Sequence, residues 1–167
     1  MKLSSYQKTV LLLLALTQFT VVLDFMIMAP LGEELISDLK LTTRQFGTVV
    51  SVYAISAALS SFLSAAFADR YDRKNLLLFF YAGFVVGTFF CGLATTYTFM
   101  LLARIITGVF GGVIGSVSLA IVADCFDASV RGRVMGTIQM AFSVSQVVGI
   151  PTGLWIAHQW NWHFTFY

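Results

Sequence analysis

The chain has 167 residues, of which 58% are hydrophobic and only 11% are charged, and its mean hydropathy is +0.85. Soluble domains carry roughly 25% charged residues, so this composition excludes a soluble globular protein, which would have too little polar surface to stay dispersed in water. The formal net charge of +2 is too small for a nucleic-acid-binding protein, and we expect the chain to lie in a lipid bilayer.

Five apolar stretches have the length of about 20 residues that a helix needs to cross the hydrocarbon core of a bilayer. The connections between them are short, so consecutive helices must run antiparallel, and no linker divides the chain. The sequence therefore predicts an all-α membrane protein with one domain. The predicted spans are residues 9–31, 46–68, 76–94, 99–122 and 134–158.

The first span contains an acidic residue, Asp24. A charge at the centre of a bilayer costs at least about 2.5 kcal/mol on insertion scales, so a charged residue inside a span indicates a function. Thr17, Thr20 and Asp24 have the spacing i, i+3, i+7 and share one helix face. We predict that this face lines a substrate cavity, and we include Met28 in the same candidate set.

The second span carries a polar stripe made of Tyr53, Ser56, Ser60 and Ser64. We predict that Tyr53 lines the cavity. For the three serines we favour hydrogen bonds between packed helices, which are worth about 0.6 kcal/mol each, over a cavity-lining role.

The fourth span contains the second intramembrane charge, Arg104. At 1.5 Å per residue, Asp24 lies roughly 10 Å and Arg104 roughly 8 Å from the outer ends of their spans. The two side chains are therefore expected at one depth, either in direct contact or joined by a water-filled cavity. A fixed ion pair that only locks two helices is the alternative, and we disfavour it because such a pair stabilises a fold poorly.

The fifth span combines polar residues with a proline. Gln139, Ser143 and Gln146 share a helix face and are predicted to line the cavity, with interhelical hydrogen bonds as the alternative. Pro151 lacks a backbone donor and predicts a kink. Whether this kink acts as a gate or only shapes the bundle stays open.

The distribution of basic residues predicts the orientation of the bundle, because cytoplasmic loops are enriched in Lys and Arg. One set of segments holds Lys2, Lys8, Arg70, Arg73, Lys74, Arg131 and Arg133, and the other holds only Lys40 and Arg44. We therefore expect a cytoplasmic N-terminus. A sixth helix is expected to begin near residue 163, which would make the chain the first part of a longer protein; a complete five-helix protein is the alternative.

Residues 65–77 resemble the loop signature G-x-L-A-D-R-x-G-R-K-x-x-L of major facilitator transporters. The matching residues are Ala68, Asp69, Arg70, Arg73, Lys74 and Leu77, and the departures are Ala65, Phe67 and Asp72. Residues 23–30 are similar to the helix-one segment of drug–proton antiporters. Arg104-x-x-x-Gly108 resembles the helix-four motif of the same family, whose arginine is implicated in proton transfer. Residues 149–153 resemble the helix-five antiporter signature G-P-x-x-G-G.

The resemblance implies two six-helix halves, each built from inverted three-helix repeats, with the substrate bound between the halves. This chain would be the N-terminal half, with the C-terminal half absent. Asp24 would carry the proton and Arg104 would be its charge partner. The implied conformational latch is Asp69, Arg70, Arg73 and Lys74, and the implied helix-five gate is Gly149, Pro151 and Gly153.

The implied function is proton-coupled efflux of a small molecule such as a drug or a sugar, across a bacterial inner membrane. The expected partners are lipid, protons, the substrate and the C-terminal half, without a cofactor or a metal. An uncoupled facilitator and a membrane scaffold remain alternatives. We do not expect an enzyme, since the sequence contains no nucleophile–base cluster, metal-ligand spacing or phosphate-binding loop.

Overall fold

The fold is all-α, as predicted, in a computed structural model that describes residues 3–64 and 68–167, with the backbone alone described at Asp69. Two short 3₁₀ helices, Ala68–Arg70 and Trp162–Phe166, and one π-helical turn, Ser145–Gly149, complete the helical elements of these residues. The α-helices are α1 Ser5–Ile27, α2 Gly32–Asp38, α3 Thr43–Ser64, α4 Arg73–Gly92, α5 Tyr97–Cys125, α6 Ala128–Val144 and α7 Ile150–Gln159.

Five helices in the described ranges are long and apolar enough to cross a membrane. They are α1, α3, α4, α5 and the continuous run of α6, the π turn and α7. The chain is therefore a multi-pass integral membrane protein.

The helix bounds differ from the predicted spans, because hydropathy marks the residues inside hydrocarbon whereas capping sets where a helix begins. Each spanning helix starts before its predicted span, and Ser4, Asp72 and Thr96 accept hydrogen bonds as N-caps of α1, α4 and α5. The first helix ends at Ile27 rather than at residue 31, since Pro30 has no N–H and disfavours the helical conformation of the residue before it.

The segment where a sixth helix was expected forms a 3₁₀ helix, Trp162–Phe166, and not the first turn of an α-helix. Side-chain hydrogen bonds hold it in place. The Trp162 indole N–H donates to Asp38 Oδ2 at 2.8 Å, and the Tyr167 hydroxyl donates to the Gly92 carbonyl at 2.8 Å. This segment therefore joins α2 to the end of α4.

Helix α5 lies at the centre of the bundle and packs against α3 and α4, while α1 packs mainly against α6 and the π turn. The buried apolar residues form two clusters. One surrounds Leu14, Phe80 and Val117 toward the side that holds the N-terminus, and the other surrounds Met28 and Met100 toward the opposite side. Asp24 and Arg104 lie in sequence between members of the two clusters.

The serine stripe of α3 packs against α5, but it does so without the predicted interhelical hydrogen bonds. The hydroxyls of Ser56, Ser60 and Ser64 donate to carbonyls of their own helix. The interhelical bond is made instead by a serine outside the stripe, because the Ser61 and Ser116 hydroxyls lie 2.8 Å apart. The stripe serines are small residues that let α5 approach.

Replacing Ser61 with alanine is expected to destabilise the bundle by about 0.6 kcal/mol, the average value of an interhelical hydrogen bond in a membrane protein. Ser56→Ala is the matched control, since its hydroxyl bonds only within α3, and it should cost less. Unfolding of both variants in lipid bicelles by steric trapping measures the difference. Equal losses would contradict the assignment.

Candidate functional site

The two intramembrane charges form a direct ion pair between α1 and α5. Arg104 Nη1 donates to Asp24 Oδ2 at 2.6 Å, and Arg104 Nη2 donates to the Asp24 main-chain carbonyl at 3.0 Å. The Asp24 and Arg104 side chains are 3% and 1% exposed. Of the two arrangements expected from the sequence, direct contact is the one found.

Aromatic rings surround the guanidinium. Arg104 Cζ lies 5.4 Å from the ring centroid of Tyr53 on α3 and 5.8 Å from that of Phe166. Tyr53 in turn stacks on Phe25 at 5.3 Å. Such contacts stabilise a cation that has lost its water. Arg104 Nε is buried without a hydrogen-bond partner among the described residues.

The second carboxylate oxygen of Asp24 faces α4 and not α5. The Thr88 hydroxyl donates to Asp24 Oδ1 at 3.2 Å. Both side chains line a cavity of about 490 Å³ between α1, α4 and the 3₁₀ helix 162–166. Thr20 and Tyr81 line the same cavity, and their hydroxyls lie 3.2 Å apart. In this cavity the carboxylate of Asp24 lies beside the hydroxyl groups of α1 and α4.

The residues predicted on the first two spans divide between this cavity and the packed interior. Thr20 and Asp24 line it. Tyr53 contacts the ion pair but is a buried core residue. Thr17 does not line it, and its hydroxyl donates to the Leu13 carbonyl at 2.9 Å. Met28 is 1% exposed inside an apolar cluster and does not line this cavity, so its place in a substrate cavity stays a prediction.

The polar face of the fifth span lies outside the cavity that Asp24 lines. Gln139, Ser143 and Gln146 are all exposed on the surface of the described bundle. The third span, which the prediction had left out, contributes Tyr81 and Thr88 instead. The sequence spacing could have indicated this polar face, because Tyr81 and Thr88 are spaced i, i+7 and share one face of α4.

The predicted gate residues have two different positions. A Cβ atom added at Gly149 would lie 2.7 Å from the side chain of Leu23, and one added at Gly153 would lie 2.7 Å from the side chain of Ile27. Leu23 and Ile27 lie close to Asp24 on α1. These glycines therefore allow the fifth span to approach α1 closely. Pro151 is exposed in the first turn of α7, directly after the π turn, where its missing N–H costs little.

The predicted latch lies where α4 begins. Arg73 Nη1 donates to the Ala68 carbonyl at 2.8 Å, and Arg73 Nε lies 3.3 Å from Asp124 Oδ2 at the end of α5. Arg70 and Lys74 are exposed. The side chain of Asp69 lies outside the described residues.

Asp72, which stands where the loop signature has glycine, caps α4 by accepting a hydrogen bond from the Asn75 N–H at 3.0 Å. The departure from the signature therefore provides an N-cap, one of the residue types preferred there. Asp124 was not predicted, since it lies far along the chain from the loop that it contacts.

Comparison with known proteins gives one consistent family. The model of the Major Facilitator Superfamily matches residues 14–167. The chain is 31% identical over 149 residues to the uncharacterized MFS-type transporter YceJ of Bacillus subtilis strain 168, covering 89% of this chain and 38% of YceJ. It is 29% identical over 123 residues to multidrug resistance protein 3 of the same organism, covering 74% of this chain and 24% of that protein.

The fold is also found in a solved structure. A crystal structure of a bacterial homologue of the human lysosomal transporter Spinster, inward-facing and unoccupied, matches with a TM-score of 0.81 at 20% identity, over 99% of this chain and 40% of that one. At this identity the likeness shows the fold alone. The chain spans about two fifths or less of the length of these three proteins.

Proposed function

Because this chain belongs to the major facilitator superfamily, we propose that it works as the N-terminal half of a proton-coupled efflux carrier. Asp24 is the carboxyl that carries the proton, and Arg104 is its charge partner. YceJ is named as an MFS-type transporter, which supports transport as the function and not an enzymatic reaction. A relative named for multidrug resistance supports efflux of a drug-like molecule.

The buried ion pair is the observation that carries this proposal. A buried pair can often be replaced by apolar residues without loss of stability, so it is a poor structural device. Protonation of Asp24 would remove the negative charge that faces Arg104 and leave a buried cation without its partner. The ionised and the protonated site therefore differ in how well the charge of Arg104 is balanced. This difference supports coupling between proton binding and a change in the arrangement of the helices.

The exposed polar face of the fifth span supports a partner half. Gln139, Ser143 and Gln146 lie on a membrane-crossing helix, and polar side chains inside membranes face a protein interior or a water-filled cavity. We assign this face to a substrate cavity shared with a C-terminal half. Alone, the chain then has no closed substrate site and completes no transport cycle.

Two further roles belong to the same proposal. Asp69, Arg70, Arg73 and Lys74 form the latch that holds one access state, at the cytoplasmic side of a bacterial inner membrane. Gly149, Pro151 and Gly153 form the helix-five gate, and the close approach of the two glycines to α1 supports movement of this helix against Asp24.

Replacing Asp24 with asparagine in proteoliposomes that hold this chain and a C-terminal half is expected to abolish transport driven by a pH gradient. Asparagine keeps the size of the side chain but cannot bind and release a proton. The measured quantities are gradient-driven movement of ethidium and of a sugar analogue, and exchange at equal pH. Asp127→Asn, at an exposed carboxylate that makes no side-chain cap hydrogen bond to α6, is the matched control.

Gradient-driven transport that survives Asp24→Asn would instead support an uncoupled facilitator. Transport by the chain without a C-terminal half would contradict the proposed division into halves. A bundle in which water-soluble reagents fail to label cysteines placed at Gln139 and Gln146 would support a membrane scaffold.

A further inference from the structure

We propose that Asp24 takes up and releases its proton at Oδ1, and that Thr88 on α4 is the positioning residue for this oxygen. The inference rests on the proposed proton coupling and adds to it the atom, the helix and the side chain involved. It is based on the different surroundings of the two carboxylate oxygens.

Oδ2 is the less favourable of the two oxygens for the proton, because it already accepts a hydrogen bond from Arg104. It lies 2.6 Å from Arg104 Nη1, and a guanidinium has donors but no acceptor. A proton on Oδ2 would turn the acceptor of this charge-assisted hydrogen bond into a neutral hydroxyl with less acceptor capacity, and so weaken the bond. Arg104 also donates to the Asp24 main-chain carbonyl, which holds the guanidinium on this side of the carboxylate.

Oδ1 faces a group that suits both protonation states. The Thr88 hydroxyl donates to Oδ1 while Asp24 is ionised, and a hydroxyl both donates and accepts. When Oδ1 carries the proton, it can donate to Thr88 Oγ1, whose own hydrogen then turns to a carbonyl of α4. Threonines elsewhere in this bundle make that bond, as Thr17 does to Leu13 and Thr107 to Ala103.

The cavity between α1 and α4 lies on the Oδ1 side. Its lining is mainly apolar, but its volume of about 490 Å³ leaves room for water beside the polar side chains of Thr20, Asp24, Tyr81 and Thr88. A hydronium ion in this cavity gives one proton to Oδ1 and leaves as water, so the step forms one O–H bond and breaks one. The Thr20 and Tyr81 hydroxyls lie in the same cavity and can bind such water.

The titratable groups that face Asp24 differ from Thr88 in what they contact. The titratable neighbours are Arg104 on α5, Tyr53 on α3 and Cys91 on α4, together with two tyrosines that line the cavity, Tyr81 and Tyr167. Arg104 fixes Oδ2. Thr88 is the side chain with a hydrogen bond to Oδ1.

Infrared difference spectra of the full chain in lipid nanodiscs, taken between alkaline and acidic buffer, test the proposal. Asp24→Asn identifies the carboxyl C=O band of protonated Asp24 by removing it. Thr88→Val is expected to move this band to higher frequency, because the acid loses its hydrogen-bond partner. Thr88→Ser keeps the hydroxyl and should restore the parent frequency.

Thr107→Val is the matched control, since it deletes another buried hydroxyl, one that bonds to backbone carbonyls of α5. It should leave the band in place. An Asp24 band that is unmoved by Thr88→Val, or moved as far by Thr107→Val, would overturn the role of Thr88 and leave proton coupling intact. If Asp24→Asn removes no band at all, Asp24 does not titrate, and the proposed function fails with the inference.

Discussion

Replacing Arg104 with alanine is expected to destabilise the bundle by about 3–5 kcal/mol, the cost of leaving a buried charge without its partner. The side chain of Asp24 is 3% exposed, and among the described residues it would keep only the Thr88 hydroxyl as a hydrogen-bond donor. The aromatic contacts of the guanidinium with Tyr53 and Phe166 would be lost as well. The measurement is the free energy of unfolding in bicelles, by steric trapping.

A double-mutant cycle separates the stranded charge from the lost packing. In Asp24→Asn with Arg104→Ala no charge remains, so this double variant should be more stable than Arg104→Ala alone. The coupling energy is the change in unfolding free energy of the double variant minus the sum of the changes for Asp24→Asn and Arg104→Ala. Arg104→Lys keeps the charge but lacks the planar fork that aims two N–H donors at Asp24, and its stability should fall between those of the parent and the alanine variant. A cost for Arg104→Ala within the roughly 0–1 kcal/mol of an exposed pair would contradict the buried geometry.

Replacing Gly112 with leucine is expected to force α3 and α5 apart, with a destabilisation at or above the roughly 1–3 kcal/mol typical of overpacking. A Cβ atom at residue 112 would collide with the Ala57 carbonyl and with the Ser60 hydroxyl. The first of these contacts is backbone, which cannot rotate away as a side chain can. The two helices must therefore separate along their whole contact.

Gly115 offers a matched control on the same helix. A Cβ there would meet nothing within 4 Å, so Gly115→Ala should leave stability unchanged or raise it by up to about 1 kcal/mol through helix propensity. Thermal unfolding in detergent compares the two variants directly. Equal stability of both variants would contradict the close contact between α3 and α5.

The spanning helices and the depth of the two charges could be predicted from the sequence alone. Both follow from short-range rules: apolar length against bilayer thickness, and a fixed rise per residue. The same arithmetic placed Asp24 level with Arg104, and the ion pair at 2.6 Å agrees with it. The loop motif identified the family for a similar reason, because its residues are close together in the chain.

Only the tertiary structure decided which faces meet. Helical spacing shows that Gln139, Ser143 and Gln146 share a face, but not which way that face points. In the structure this face is exposed and does not line the cavity of Asp24. Thr88 meets Asp24 because α4 and α1 line the same cavity from opposite sides, although the residues are 64 positions apart. Depth in a membrane is a property of one helix, whereas its rotation depends on how side chains fit against every neighbour, and that fit depends on residues remote in the sequence.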